Sequence, residues 1–137
     1  MTIDVVKRPW GEFRVLAENE PVTVKIVYIQ PWEALSLQMH EHRDQYYVLI
    51  DDITLEWSDG AVPKDITNPL DILKWYATHW LSRVGQKGEE YSFSKREIHR
   101  ASNHSDQVAK FFEVSYGHND EDDIVRLVDR YGRATKG

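Results

Sequence analysis

The sequence predicts an all-β sandwich or barrel. Short segments rich in β-branched and aromatic residues recur along the chain, and polar turns such as "NEP" (19–21) and "SDG" (58–60) separate them. A length of 137 residues with 41% hydrophobic and 29% charged residues is typical of one globular domain with one core. We therefore predict that residues 1–137 form a single domain.

The predicted strands form two groups with a long interval between them. In "ALSLQMH" (34–40) apolar and polar residues alternate, as they do on a strand that buries one face. A charged hairpin, "EHRD" (41–44), joins this strand to the next. In chain order, the predicted strands are residues 10–18, 22–29, 34–40, 45–50, 53–57, 91–94, 97–102 and 108–116.

A helix is predicted at residues 69–81, inside a Trp-rich interval (61–84) between the two groups of strands. Asn68 can cap the N-terminus of this helix, and Pro69 suits its first turn. A twisted strand through 75–84 is the competing interpretation. The apolar residues that share one helical face are Leu70, Leu73, Ala77, Trp80 and Leu81.

The charged segment "EDDIVRLVDRYGR" (121–133) predicts a short C-terminal helix. Its apolar residues recur at the spacing of one helical face, and charged residues surround them. These apolar residues are Ile124, Val125, Leu127, Val128 and Tyr131.

Charge and composition exclude several classes of function. The net charge of −6 disfavours a general affinity for nucleic acid or for anionic membranes. No apolar run is long enough to cross a bilayer, and the start of the chain lacks the apolar core of a signal peptide, so we expect a cytoplasmic protein. The chain has no cysteine, so His, carboxylate or amide groups would have to hold any metal ion.

Histidines on two predicted strands are candidates for a metal site. Gln38, His40 and, if the strand continues, His42 point the same way, and His99 on a later strand could complete the site. Imidazole nitrogen suits zinc, iron, nickel and similar ions. The same residues also fit half-buried polar positions near a hairpin, so both interpretations remain open.

Five motifs follow one another along the chain: "RPWGEF" (8–13), "LSLQMHEHRDQYYVL" (35–49), "IHRASN" (98–103), "FFEVSYG" (111–117) and "EDDIVRLVDRYGR" (121–133). In this order they resemble the motifs of the cupins. The chain resembles the cupin domain of type II mannose-6-phosphate isomerases, which also forms the C-terminal part of bifunctional GDP-mannose pyrophosphorylases. The resemblance implies a double-stranded β-helix, or jelly-roll, barrel, and it identifies the charged tail as a family signature.

The resemblance implies a set of metal ligands and a divalent cofactor. The implied ligands are Gln38, His40, Gln45 and His99, and His42 is left over in the hairpin. The ion would be Zn, Mn, Fe, Co or Ni. Two glutamines and two neutral histidines bring no ligand charge, so we expect metal binding to be weak or lost.

The activity that the resemblance implies is the aldose–ketose isomerisation of mannose 6-phosphate and fructose 6-phosphate. Glu113 would be the base, although a buried ion pair is an equally good role for it. The nucleotidyl-transfer half of the bifunctional relatives has no room on this chain. A homodimer that pairs through an edge strand is the family expectation. The implied substrate-binding cations are Arg43, Arg100, Arg126, Arg133 and Lys25.

Several residues depart from the family pattern around the implied site. Gln45 stands where the family has Glu, and Asp52 stands where it has a turn glycine. Ser94 and Arg96 replace the proline and the glycine that precede His99. Two hypotheses therefore stay open: an isomerase-like enzyme, or a non-catalytic cupin that binds a sugar, a sugar phosphate or another small ligand. An epimerase or an oxygenase is a weaker third possibility, since cupins host many chemistries.

Overall fold

The computed structural model describes residues 3–117 and 123–133. These residues form eleven strands and one α-helix, which confirms the all-β prediction. No helix in the described part of the chain is long and apolar enough to span a membrane. The elements are β1 (Asp4–Arg8), β2 (Gly11–Glu18), β3 (Val22–Ile29), β4 (Leu37–Met39), β5 (Arg43–Leu49), β6 (Ile53–Ser58), α1 (Pro69–Ala77), β7 (Trp80–Gly85), β8 (Glu90–Phe93), β9 (His99–Ser102), β10 (Ala109–Gly117) and β11 (Val125–Val128).

The strands form two antiparallel sheets that pack face to face. The first sheet has the order β1-β2-β3-β10-β5-β8 and the second has the order β11-β4-β9-β6-β7. Among the described residues no strand pairing joins the two sheets, so the predicted barrel is an open sandwich. Phe13, Val27 and Phe111 from the first sheet and Leu55 and Ala101 from the second bury their side chains in one core.

The prediction of a C-terminal helix is wrong, because Val125–Val128 forms the edge strand β11. This strand pairs antiparallel with β4, and the register shifts between Arg126 and Val128. Such a bulge breaks the alternation of a strand, so the apolar residues fall at a spacing that resembles a helix. Pairing with β4 satisfies backbone groups that a separate helix would leave exposed on that strand. The tail residues 118–122 and 134–137 lie outside the described part of the chain.

The inserted helix α1 begins where the sequence predicts and ends earlier. The side chain of Asn68 accepts a hydrogen bond from the backbone N–H of Leu70 at 2.9 Å, as predicted for a helix cap. The segment after Ala77 leaves the helix and becomes β7, which pairs with β6, so the competing strand interpretation is correct there. The predicted apolar face is also wrong: Ile72 and Tyr76 are buried, whereas Leu70 is 69% exposed.

Arg96 holds the loop before this helix against the rest of the fold. Its backbone has a φ of 64°, a left-handed conformation that glycine adopts more readily. Its guanidinium donates to the carbonyl oxygens of Val62 at 2.9 Å, Pro63 at 3.1 Å and Ile66 at 2.9 Å, and it also binds the carboxylate of Glu41. These four contacts explain why an arginine stands where the family has a glycine: its side chain binds the loop of the insertion.

Candidate functional site

A cavity of about 80 Å³, large enough for several water molecules, lies between the sheets. Its walls include residues of β1–β5 and β10, together with Ile124, Arg126 and Arg133 of the C-terminal segment. The lining is strongly basic for a chain whose net charge is −6. Among the described residues of this lining, the basic ones are Arg8, Lys25, Arg43, Arg126 and Arg133, and the one carboxylate is that of Glu113.

On the first sheet, pairing between strands places the acid beside a lysine and an amide. Glu113 of β10 pairs with Lys25 of β3 on one side and with Tyr47 of β5 on the other. Two residues further along β10, on the same face, Ser115 pairs with Gln45 of β5. The Gln45 amide donates to Glu113 and to Ser115, each at 3.2 Å. Burial and then the nearby Glu113 carboxylate raise the pKa of Tyr47 well above its usual value, so this phenol stays neutral.

On the second sheet, a row of three side chains contributes to the site. Gln38 of β4 is the partner of Arg126 on one side and of His99 on the other. The Gln38 carbonyl oxygen accepts a hydrogen bond from the Ser36 hydroxyl at 3.3 Å. His40 follows two residues after Gln38, and its ring lies 5.4 Å from the ring of His99. The two implied histidines therefore lie side by side in the structure.

Both imidazoles are buried and neutral at pH 7. Burial is the main cause that lowers the pKa of His40 well below its usual value, and burial lowers the pKa of His99 to about 4. His40 donates from Nδ1 to the backbone carbonyl of Asp123 at 2.5 Å. Its Nε2 is buried without a hydrogen-bond partner among the described residues. The lone pair on Nε2 is therefore available to a bound group.

One of the two tautomers of His99 would leave a pair of donor atoms for a divalent cation. Its Nδ1 lies 3.0 Å from the Glu97 carbonyl, and its Nε2 lies 2.8 Å from the carbonyl oxygen of Gln45. A neutral imidazole has one N–H, so only one of these contacts is a hydrogen bond. With the proton on Nδ1, as in His40, Nε2 and the Gln45 oxygen face each other as two acceptors. A cation between them would satisfy both lone pairs, and imidazole and amide oxygen are usual metal ligands.

The donor set nevertheless lacks the charge of a typical metal site. Within residues 3–117 and 123–133, no group of three His, Cys, Asp or Glu side chains is placed to hold a metal ion. The candidate set depends on the amide oxygens of Gln38 and Gln45, so a bound dication would be neutralised only from outside the ligand shell. Glu113, which binds the amide of Gln45, is the carboxylate placed to do this.

Four of the five cations implied by the resemblance line the cavity, and one does not. Arg100 instead binds Glu56, with a shortest nitrogen–oxygen distance of 2.9 Å, and does not line the cavity. Arg100 directly follows His99 on β9, and adjacent residues of a strand face opposite sides. Strand periodicity alone could have identified this error. The cations that do line the cavity are Lys25, Arg43, Arg126 and Arg133.

The structure adds residues of the first motif that sequence reasoning did not assign to the site. Arg8, Trp10 and Phe13 line the cavity. The Arg8 guanidinium lies 5.2 Å and the Lys25 ammonium 4.2 Å from the centre of the Phe13 ring, so the ring holds two cations at this wall. These residues belong to "RPWGEF", one of the five motifs, and this membership could have indicated that they line the site. His42 is exposed in the hairpin and does not line the cavity, as the resemblance implied.

Comparison with known proteins agrees with the motifs. A family model described as "Mannose-6-phosphate isomerase C-terminal" matches residues 2–86. Mannose-1-phosphate guanylyltransferase of Escherichia coli K12 is 29% identical over 128 residues, which are 93% of this chain and 23% of that protein. The xanthan biosynthesis protein XanB of Xanthomonas campestris is 30% identical over 130 residues, which are again 93% of this chain and 23% of that protein. The chain thus spans about a quarter of the length of these relatives.

Solved structures of low sequence identity share the fold. The capsular polysaccharide assembling protein CapF of Staphylococcus aureus has a TM-score of 0.71 at 10% identity, over 94% of this chain and 33% of CapF. KdgF of Halomonas sp. has a TM-score of 0.63 at 12% identity, over 86% of this chain and 89% of KdgF. Oxalate decarboxylase of Lactobacillus farciminis has a TM-score of 0.67 at 13% identity, over 91% of this chain and 33% of the decarboxylase. The chain has the cupin fold and belongs to the mannose-6-phosphate isomerase C-terminal family.

Proposed function

We propose that this cupin binds a sugar phosphate in its cavity and, with a divalent metal ion, interconverts the aldose and ketose forms of the sugar. Mannose 6-phosphate and fructose 6-phosphate are the proposed pair. The observation that carries the proposal is the lining of one cavity. Among the described residues, basic side chains, one carboxylate and three of the four candidate metal ligands, Gln38, His40 and Gln45, meet there. The relative from Escherichia coli is named as a mannose-1-phosphate guanylyltransferase, which supports a phosphorylated sugar as the ligand class.

The basic lining gives the cavity its preference for an anion. Arginine binds phosphate through two parallel N–H groups, and such charge-assisted hydrogen bonds are stronger than neutral ones. Arg133 is held in place by Asp129, with its Nε 2.9 Å from a carboxylate oxygen. Arg126 and Arg43 approach the cavity from β11 and β5, so a phosphate between them would contact both sheets.

Glu113 is the group proposed to move the proton. Isomerisation requires a base that removes a proton from one carbon and returns it to the neighbouring carbon. The Glu113 carboxylate lines the cavity, and the amide of Gln45 fixes the direction of one of its oxygens. Lys25, its partner on β3, keeps a positive charge beside the carboxylate. A cation held by Gln38, His40, Gln45 and His99 would supply Lewis-acid stabilisation of negative charge on the sugar oxygens.

Turnover by the purified full chain tests this proposal. The protein would be incubated with fructose 6-phosphate and Zn²⁺, Mn²⁺, Fe²⁺, Co²⁺ or Ni²⁺ in turn, and mannose 6-phosphate would be followed by NMR. We expect turnover with at least one metal and its loss with a chelator. Absence of turnover of any hexose phosphate with every metal would exclude the isomerase.

A second candidate function is metal-independent binding of a sugar phosphate or another small ligand. Gln45 favours it, because an amide in place of the family carboxylate weakens metal binding more than it weakens anion binding. Under this alternative, a hexose phosphate raises the melting temperature equally with and without chelator. Q45E separates the two functions: a restored carboxylate should tighten Co²⁺ binding in an isomerase and leave ligand binding by a non-catalytic cupin unimproved.

We also propose that the protein forms a homodimer through an edge strand. β7 lies at the edge of the second sheet and exposes Trp80 (53%) and Val84 (64%). An exposed apolar edge strand is a template for pairing with another chain. Light scattering coupled to size exclusion should give a dimer mass, and V84K should lower it to that of a monomer. A wild-type monomer at every concentration would exclude the dimer.

A further inference from the structure

Asp123 binds three consecutive residues of the hairpin between β4 and β5. Its two carboxylate oxygens accept hydrogen bonds from the backbone N–H groups of Glu41 at 2.8 Å and His42 at 2.9 Å. Its own backbone carbonyl accepts the hydrogen bond from Nδ1 of His40 at 2.5 Å. The residue is 6% exposed, so these contacts form away from water. One aspartate thus fixes both the hairpin and the ring that precedes it.

The contact with His40 determines which ring nitrogen carries the proton. A backbone carbonyl can only accept a hydrogen bond, so Nδ1 of His40 must be the protonated nitrogen. The other nitrogen, Nε2, then holds a lone pair, and it is buried without a partner among the described residues. His40 lines the cavity, so this lone pair belongs to the proposed site.

The carboxylate of Asp123 is what keeps its carbonyl in position. Asp123 lies between the undescribed residues 118–122 and the edge strand β11, whose first pair is Val125 with Met39. Among the described residues, the two hydrogen bonds to the hairpin are the contacts that its carboxylate makes. Without them, the carbonyl can move away from the ring, and either nitrogen of His40 can carry the proton.

We propose that Asp123 is a positioning residue that holds His40 in the tautomer with its proton on Nδ1 and the lone pair of Nε2 available to a ligand in the cavity. The inference rests on the proposed function for the identity of that ligand, a divalent cation. Groups that orient a metal-binding histidine commonly change metal affinity by about 10- to 100-fold when they are removed. The C-terminal segment is thereby part of the site rather than a cover over the fold.

The first experiment reads the tautomer directly in the metal-free full chain. Imidazole ¹⁵N shifts would be measured by NMR at pH 7.5 in wild type, D123A and D123N, with the His40 signals assigned by their loss in H40Q. We expect His40 of wild type to be protonated at Nδ1 and His40 of D123A to be a mixture or the other tautomer. D123N keeps one acceptor oxygen, so it should lie between the two.

The second experiment measures Co²⁺ affinity from its visible absorption. We expect a loss of about 10- to 100-fold in D123A and a smaller loss in D123N. D51N is the matched control, because Asp51 also accepts from a backbone N–H, that of Lys110 at 2.9 Å, and does not line the cavity. It should leave both the tautomer and the affinity unchanged.

The outcomes separate this inference from the proposed function. If D123A retains wild-type shifts and wild-type Co²⁺ affinity, or if wild-type His40 is protonated at Nε2, the inference is wrong. If wild type binds no Co²⁺ but D123A still changes the tautomer, the positioning role stands and metal-dependent isomerisation fails. If D123A does not fold, as shown by circular dichroism, the shifts of D123N decide.

Discussion

The arginines of the cavity and the arginines near the insertion differ in the atoms around them. Arg96 binds three carbonyl oxygens and a carboxylate, and Arg100 binds Glu56. Arg43 and Arg126, by contrast, line the cavity, together with the described carboxylate of Glu113. All four arginines lie in or beside family motifs, so motif membership does not distinguish them. The face of the strand and the local balance of charge do.

This difference separates a structural role of arginine from the binding role that we propose for the cavity. Around the insertion, arginines form ion pairs with acids and donate hydrogen bonds to loop carbonyls, and these contacts stabilise the fold. Among the described residues that line the cavity, five are basic and one is acidic, and an anionic ligand would add negative charge there. Substitutions in the two regions should therefore affect different measurements.

The largest expected effect is on catalysis, from E113Q at the cavity. The amide keeps the shape of the side chain but cannot accept the proton, so we expect kcat to fall by about 10²- to 10⁴-fold. Isomerase turnover by NMR is the measurement. E56Q, which removes the carboxylate that binds Arg100, should keep wild-type kcat. A full-activity E113Q would remove Glu113 from the proposed mechanism.

The next largest effect is on stability, from R96A beside the insertion. Loss of the contacts to the loop carbonyls and to Glu41 should lower the free energy of unfolding by about 3 kcal/mol. R96G should cost about 1 kcal/mol less, because glycine tolerates the left-handed backbone at this position. Urea unfolding measures both variants. Equal stability of R96A and wild type would contradict the structural role.

A smaller effect is expected on ligand affinity, from R126A at the cavity. Removal of one charged hydrogen-bonding partner should weaken hexose phosphate binding by about 10- to 100-fold, as measured by titration calorimetry. The matched variant R100A should bind the ligand as wild type does and should instead unfold at lower urea concentration. If R100A weakened binding as much as R126A, the contrast between the two groups would fail.

The smallest expected effect is the change in the free energy of unfolding per pH unit, and it arises from His99. Burial lowers its pKa in the folded protein to about 4, below the ordinary value of 6.5. Between these values the unfolded chain binds the proton and the folded protein does not, so His99 lowers stability by up to about 1.4 kcal/mol per pH unit as pH decreases. His40, whose pKa burial also lowers, adds to this slope. Urea unfolding at several pH values, with chelator present, should show a slope of at least this size between pH 6 and 4.5. H99Q should show a shallower slope.

Much of the first sheet, and the rows that carry the candidate metal ligands, could be predicted from sequence. β3 has the predicted bounds, and the alternation along β5 places Gln45 and Tyr47 on the inner face. These features depend on the period of two along a strand, which sequence displays directly. Because Gln38 and His99 pair across β4 and β9, the resemblance also brought together residues that are far apart in sequence.

The remaining features depend on contacts that a sequence pattern does not display. The bulge in β11 gives a strand the apolar spacing of a helix. The pairing of β7 with β6 makes α1 shorter than predicted. Arg96 binds mostly backbone carbonyls, and Asp123 orients His40 through a carbonyl. Backbone groups are present at every residue, so composition and periodicity cannot indicate which of them a side chain will bind.

The contact between His40 and Asp123 joins residues 83 positions apart, and this has a consequence for protein synthesis. The ribosome releases the hairpin that carries His40 long before it releases residue 123. The core strands β2, β3, β5 and β10 all precede residue 118, so the sandwich can assemble while the ring still lacks its partner. The core strands do not need the contact between Asp123 and His40 in order to pair with one another.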